Sequence, residues 1–137
     1  MIRFGRSLVL GWMKLRVIPV RLHGWLDELA TASYLGAAFF GGFEPVARWL
    51  LVAGALVHFA NTRLTDYPQG QFKLYPLATH ASIELVEGFA MLLGALLMNG
   101  DRDQTLTLLV FAASQIAAAV FGRTDIAPVR SPRGSLG

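Results

Sequence analysis

The amino-acid sequence predicts an all-α fold: a membrane four-helix bundle made of two parallel helix-hairpin repeats, with an N-terminal interfacial amphipathic helix. Three observations predict it. The 137-residue chain is 54% hydrophobic and only 15% charged, against roughly 25% charged in an ordinary soluble domain. Its four apolar stretches each come close to the ~17 to 25 residues that a bilayer-spanning helix needs. Finally, residues 16–27, RVIPVRLHGWLD, return 57 positions later as residues 73–84, KLYPLATHASIE. In both copies a basic residue (Arg16, Lys73) stands three before a proline (Pro19, Pro76). The proline stands four before a histidine (His23, His80), itself four before a carboxylate (Asp27, Glu84). A second echo pairs Thr65-Asp66 with Thr124-Asp125. Such self-similarity reads as two related halves, residues 16–66 and 73–125, inside one domain of residues 16–127.

Residues 1–15 place Arg3, Arg6 and Lys14 on one side of a helical wheel, with most bulky apolar residues elsewhere, the pattern of a helix lying in the membrane interface. A cleaved signal peptide would carry a longer apolar run and a small-residue cleavage site, so this segment is expected to stay at the membrane surface. The four spans are predicted at residues 22–43, 46–64, 77–98 and 105–121. The first and third carry charges, which leaves a soluble helical bundle as the competing fold. Charge asymmetry decides between them. Of the 12 basic residues, a four-span topology puts Arg3, Arg6, Lys14, Arg16, Arg21, Arg63, Lys73, Arg123, Arg130 and Arg133 on one side, leaving Arg48 and Arg102 on the other. A positive-inside membrane protein shows that bias and a soluble bundle has no reason to. Both termini are therefore expected in the cytoplasm. Because the basic residues flank apolar runs and form no patch, nucleic acid is not an expected partner.

The turns at residues 41–45 and 99–103 are short, making sequential helices antiparallel neighbours. The connection 66–75 carries the turn signal Tyr67-Pro68-Gln69-Gly70. Residues 128–137 lack bulky apolar side chains and are expected to be disordered.

Proline is tolerated at the first helical position, so Pro19 and Pro76 are expected to open spans one and three. A histidine and a carboxylate four apart share a helix face. Both copies then lie at one depth near the cytoplasmic surface, gathering His23, Asp27, Thr65, Asp66, His80, Glu84, Thr124 and Asp125 into a layer. Polar stripes continue deeper through Thr31 and Tyr34 on span one and His58, Asn61 and Thr62 on span two. They include Glu87 on span three and Ser114 and Gln115 on span four. His58 lies seven residues before Thr65 and Glu87 seven after His80. On antiparallel neighbours that shared displacement of about 10 Å predicts that the two side chains face each other.

The candidate polar site is therefore His23, Asp27, His58, Asn61, Thr65, Asp66, His80, Glu84, Glu87, Thr124 and Asp125. Three readings compete: pairs that fix helix register, a proton, ion or small-ligand site, and haem or metal ligation. Histidine and carboxylate are competent ligands but specify neither haem nor a metal, so no cofactor is assigned. The chain has no cysteine, which removes disulfides and thiolate ligation. Ala32-x-x-x-Gly36 and Ala90-x-x-x-Gly94 permit close helix contact. No nucleophile elbow, phosphate-binding loop or zincin motif is present, so no catalytic residue is named and the reading leans away from an enzyme.

At VIPVRLHGWLD, LTDYPQG and LYPLATHASIE, residues 17–84, the chain resembles small bacterial four-helix integral membrane proteins of unassigned function related to SPW-repeat proteins. The resemblance implies four helices and a bacterial cytoplasmic (inner) membrane location, and supplies no activity. The expected function is that of a structural or accessory subunit of a membrane assembly, because four short helices leave little mass for a catalytic domain. The alternative is a proton-linked or small-solute membrane protein using the cytoplasmic-side His/carboxylate site. The partners expected are the lipid bilayer and other membrane proteins or further copies of the chain.

Overall fold

The computed structural model describes residues 16–98 and 101–124. The predicted amphipathic helix, the predicted disordered tail and Asp125 lie outside the described residues. Four helices of nearly equal length make up most of the rest: α1, Val20–Phe40, and α3, Leu77–Leu97, of 21 residues each, and α2, Pro45–Leu64, and α4, Arg102–Phe121, of 20.

Local chemistry sets the boundaries. Pro19 and Pro76 do not open their helices as first helical residues, as the sequence suggested; each is the N-cap, with an extended ψ of 144° and 159° respectively. The expected first-position proline occurs instead at Pro45 of α2. Helix α1 ends earlier than predicted, at the Gly41-Gly42 pair. Gly42 takes a φ of +66°, which glycine adopts without the steric penalty a Cβ imposes. Helix α4 begins three residues before the predicted span because the Asp101 carboxylate accepts the Asp103 N–H at 3.0 Å, satisfying an otherwise orphaned donor of the first turn.

Helix α1 packs mainly on α2, and α3 mainly on α4, giving two hairpins. Short backbone pairings tie the hairpins together. Two-residue strands β1, Thr65–Asp66, and β2, Tyr75–Pro76, pair in parallel, and Ile18 pairs in parallel with Gly122. The end of α2 is thereby joined to the start of α3, and the end of α4 to the start of α1. Ile18 and Tyr75 each immediately precede the proline of their repeat copy. At the opposite end the Glu44 N–H donates to Gln104 Oε1 at 3.2 Å. The predicted turn forms: the Gly70 N–H donates to the Tyr67 carbonyl at 3.0 Å.

The interior divides by depth. Tyr34, Ala38, Phe43, Ala47, Leu51, Ala55, Met91, Ala95, Leu108 and Ala112 form an apolar core toward one end. Nearer the paired backbone segments most buried side chains are polar, with Leu77, Ala81 and Ala119 packed beside them. The outer faces are apolar, with Trp25, Leu29, Phe39, Trp49, Leu56, Phe89, Leu96 and Val110 all more than half exposed. By length and composition α3 and α4 can cross a membrane; α1 and α2 match them in length but not in apolar composition. Of the two small-residue spacings, Gly94 packs beneath Leu50, whereas Gly36 meets no neighbour within 4 Å.

Candidate functional site

Three histidines and three carboxylates meet where the hairpins face each other. His23 and Asp27 come from α1, His58 from α2, and His80, Glu84 and Glu87 from α3; each is between 0% and 6% exposed. The i, i+4 spacing on α1 and α3 stacks each histidine beside the carboxylate of its own helix. His23 Nε2 lies 3.6 Å from Asp27 Oδ1, and His80 Nε2 3.5 Å from Glu84 Oε1. The cross-helix distances are as short or shorter: His23 Nε2 to Glu84 Oε1 is 3.2 Å and His80 Nε2 to Asp27 Oδ2 is 3.4 Å. The His23 and His80 rings meet edge to face, 5.4 Å between centroids. His58 lies beside this square, its Nδ1 3.2 Å from Glu87 Oε2 and its Nε2 3.7 Å from Asp27 Oδ1. The depth argument from sequence thus meets a direct contact: His58 and Glu87 face each other.

A ring of neutral groups holds these side chains. The Thr65 hydroxyl donates to the Asn61 carbonyl at 2.6 Å and lies 2.8 Å from His80 Nδ1. With its only hydrogen engaged, Thr65 Oγ1 accepts from Nδ1–H, so the His80 tautomer is fixed. Asn61 Nδ2 donates to the His80 carbonyl at 3.2 Å, and the Tyr75 hydroxyl donates to Asn61 Oδ1 at 2.6 Å. The Tyr67 hydroxyl donates to Asp27 Oδ2 at 2.7 Å. Gln115 Nε2 donates to the Tyr34 hydroxyl at 3.0 Å. Burial, reinforced by the Asp27 carboxylate, pushes the Tyr67 phenol above its ordinary range, and burial raises that of Tyr75. Two glycines make room: a Cβ at Gly122 would collide with the His23 ring, and one at Gly24 with the side chains of Tyr67 and Gln69.

Several polar atoms at the centre have no hydrogen-bond partner. Among the described residues, both ring nitrogens of His23, Nε2 of His58 and His80, both oxygens of Glu84 and Oε1 of Glu87 are buried without a hydrogen bond, although the Nε2 atoms and Glu84 Oε1 lie within ion-pair distance of one another or of Asp27. An apolar cleft of about 430 Å³ between α1 and α4, walled by Leu26, Leu29, Ala30, Val110 and Phe111, reaches Asp27, His58 and Glu84. A smaller one of about 230 Å³ between α2 and α3 runs along Ile83, Val86 and Ala90 to Glu87. Leu26, Leu29, Ala30 and Ser33 of the first cleft stand 57 positions before Ile83, Val86, Glu87 and Ala90 of the second.

Of the predicted site residues, His23, Asp27, His58, Asn61, Thr65, His80, Glu84 and Glu87 come together. Asp66 does not: it is exposed, 3.6 Å from an equally exposed Lys73, because the extended backbone at β1 turns consecutive side chains to opposite sides. Thr124 is also outside the layer, its hydroxyl held by the Arg16 guanidinium near the ends of the chain's described part. Ser114 faces outward and satisfies itself on the Phe111 carbonyl at 2.8 Å. Tyr67 and Tyr75 were not legible as site residues. Both lie in the connection between α2 and α3, and helical depth counting has no means of bringing a loop side chain back into the bundle.

Fold and site together define, over the described residues, a helical bundle of four long helices, two of them apolar enough to cross a membrane, that encloses a layer of buried ionisable side chains. No protein-family model, no curated protein and no solved structure matches the chain.

Proposed function

We propose that this chain is an integral protein of the bacterial cytoplasmic membrane, both termini cytoplasmic, in which two helix-hairpin repeats enclose a cation-binding centre. The single observation that carries the reading is the convergence of four buried ligand-type side chains at the middle of the layer: one donor atom from each of His23, Asp27, His80 and Glu84 lies within 4.8 Å of the others. Pairs that served only to fix helix register would be met by hydrogen bonds within each pair, since an unmet buried polar group costs about 1–3 kcal/mol and more when charged. Here Nε2 of His23 and of His80 lies within ion-pair distance of Glu84 Oε1, yet none of these atoms makes a hydrogen bond. Membrane placement is supported by the inverted distribution of side chains, polar within and Leu, Phe and Trp without, together with the bias of basic residues to one side. The repeat is supported by the two parallel backbone pairings and by the two clefts, each set related by the same 57-position offset. The likeness of the proline, histidine and carboxylate motifs to SPW-repeat proteins supports the bacterial location.

The test is thermal unfolding of the full chain in mild detergent against a panel of inorganic cations: Na⁺, K⁺, Mg²⁺, Ca²⁺, Mn²⁺, Co²⁺ and Zn²⁺. Ligand that binds only the folded state raises the midpoint by mass action. At least one cation should raise it, and the variant H23Q/D27N/H80Q/E84Q should not respond. A wild-type chain indifferent to every cation, or a variant responding equally, overturns the reading.

A second reading, an accessory subunit of a larger membrane assembly, is favoured by the described connections 41–44 and 65–76, the first short and the second folded back on the bundle through β1 and β2, which leave little protein outside the helices. A stoichiometric partner retained through purification in mild detergent would support it, and its absence from native membranes solubilised without dissociation would remove it.

A further inference from the structure

We infer that the centre is a mononuclear site for a divalent first-row transition metal, held by His23 and His80 through Nε2 and by the carboxylates of Asp27 and Glu84. The inference rests on the cation-centre reading above and narrows it to one class of ion and four ligands.

Geometry comes first. A four-coordinate ion with ligand bonds of about 2.0–2.2 Å has ligand-to-ligand edges of roughly 3.4 Å. The nitrogen-to-oxygen distances around this square are 3.2, 3.4, 3.5 and 3.6 Å, the two to Asp27 being made to its two different oxygens, and one ligand atom from each of the four residues lies within 4.8 Å of the others. Small inward movements of these side chains would bring all four onto one ion.

Protonation comes second. Thr65 fixes the hydrogen of His80 on Nδ1, since its own hydroxyl hydrogen is spent on Asn61. Nε2 is thus the atom that His80 turns toward two carboxylates, at 3.4 and 3.5 Å, where a bound cation would take the place of a proton. A ligating histidine whose other nitrogen donates to a fixed acceptor is the usual outer-shell pattern of a metal site. Asp27 shows the matching pattern for a carboxylate ligand, its Oδ2 accepting from Tyr67. His23 makes no hydrogen bond through either ring nitrogen, and its Nε2 faces the same two carboxylates at 3.2 and 3.6 Å.

Charge comes third. One divalent ion matches the two carboxylate charges of Asp27 and Glu84, as a low-dielectric interior requires, since each uncompensated buried ion costs several kcal/mol. The remaining carboxylate, Glu87, is outside this square and faces His58 at 3.2 Å. Two imidazoles and two carboxylates suit Mn²⁺, Fe²⁺, Co²⁺ or Zn²⁺ better than Na⁺ or Ca²⁺, which take oxygen-rich sites.

Co(II) is the working ion for the test. The full chain, stripped with chelator in mild detergent and reloaded, should retain about one Co(II) per chain by elemental analysis, with the visible ligand-field bands of a four-coordinate centre, and Zn(II) should displace it. H80Q and E84Q should each lose the bands, whereas Asp66→Asn, on the exposed surface, should keep them. Thr65→Val should weaken Co(II) binding by about 10- to 100-fold through His80 alone, and Thr65→Ser should restore it. A wild-type chain that takes up no Co(II), or H80Q and E84Q variants that bind it unchanged, overturns the inference. Stabilisation by Na⁺ or Ca²⁺ with no Co(II) uptake would overturn the transition-metal assignment and leave the cation centre standing.

Discussion

His23 sits closer to the carboxylate of the other hairpin than to that of its own helix: Nε2 is 3.2 Å from Glu84 Oε1 and 3.6 Å from Asp27 Oδ1. His80 reciprocates across the same gap, 3.4 Å from Asp27 Oδ2. The layer therefore clamps the hairpins together, and Asp27 and Glu84 each serve histidines on different elements.

Removing one carboxylate strands several partners at once. Asp27 faces His23, His58, His80 and the Tyr67 hydroxyl. Asp27→Ala should cost about 3–5 kcal/mol, the usual penalty for leaving buried charge uncompensated. Asp66→Ala, whose pairing with Lys73 is solvent-exposed, should stay within about 0.5 kcal/mol. Denaturant unfolding of the metal-free chain in detergent measures both. Equal effects would contradict the separation of Asp66 from the layer.

Thr65→Val replaces a buried hydroxyl with a methyl group of similar shape. It leaves His80 Nδ1–H and the Asn61 carbonyl without their contacts at 2.8 and 2.6 Å. An unmet buried donor costs about 1–3 kcal/mol, and that loss is expected in the same unfolding measurement. Thr65→Ser keeps the hydroxyl and should recover most of it.

Much of this arrangement was readable before any coordinates. The repeated proline, histidine and carboxylate spacing located His23, Asp27, His80 and Glu84 because helical periodicity converts a spacing of four into a shared face. Depth counting brought His58 opposite Glu87 for the same reason. It failed at Asp66, where the chain leaves the helix for extended backbone, and at Thr124, which lies beyond the end of α4. The tyrosines that complete the site are set by the path of the connection 66–75, where Gly70 closes a turn on Tyr67. No periodicity encodes such a path.

Tyr75 carries a pH dependence that can be tested apart from the layer. Burial raises its phenol above the ordinary value, so the folded chain holds that proton more tightly than the unfolded chain does. The associated stability is fully present below about pH 10, the unfolded phenol value, and is lost as pH rises through the folded value. Tyr75→Phe should therefore reduce the alkaline slope of stability above about pH 10. An unchanged slope in unfolding midpoints across that range would contradict the burial effect.

The proposed orientation rests on the basic residues. Arg16, Arg21, Arg63, Lys73 and Arg123 belong to the end of the bundle carrying the His/carboxylate layer, and Arg48 and Arg102 to the other. Reporter fusions after Gly137 and within residues 99–103 should report the cytoplasmic and the opposite side respectively. A fusion after Gly137 active outside the cytoplasm would reverse the topology.

The reciprocal pairing also predicts how Asp27 and Glu84 behave when exchanged. If the hairpins are related by a pseudo-two-fold axis through the layer, the two carboxylates occupy equivalent positions and differ only by one methylene. Asp27→Glu alone adds a methylene where Tyr67 and His80 already contact the carboxylate, and overpacking a closed site costs about 1–3 kcal/mol. Glu84→Asp alone withdraws an oxygen that lies 3.2 Å from His23 and 3.5 Å from His80. In the double variant the longer side chain on α1 reaches into the space vacated by the shorter one on α3. Residues in one network couple by about 0.5–3 kcal/mol, so the double variant should be more stable than the sum of the single losses by an amount in that range. A double-mutant cycle from denaturant unfolding in detergent supplies the coupling. Simple additivity would mean that the carboxylates answer only to their own helices, and the shared layer would have to be abandoned.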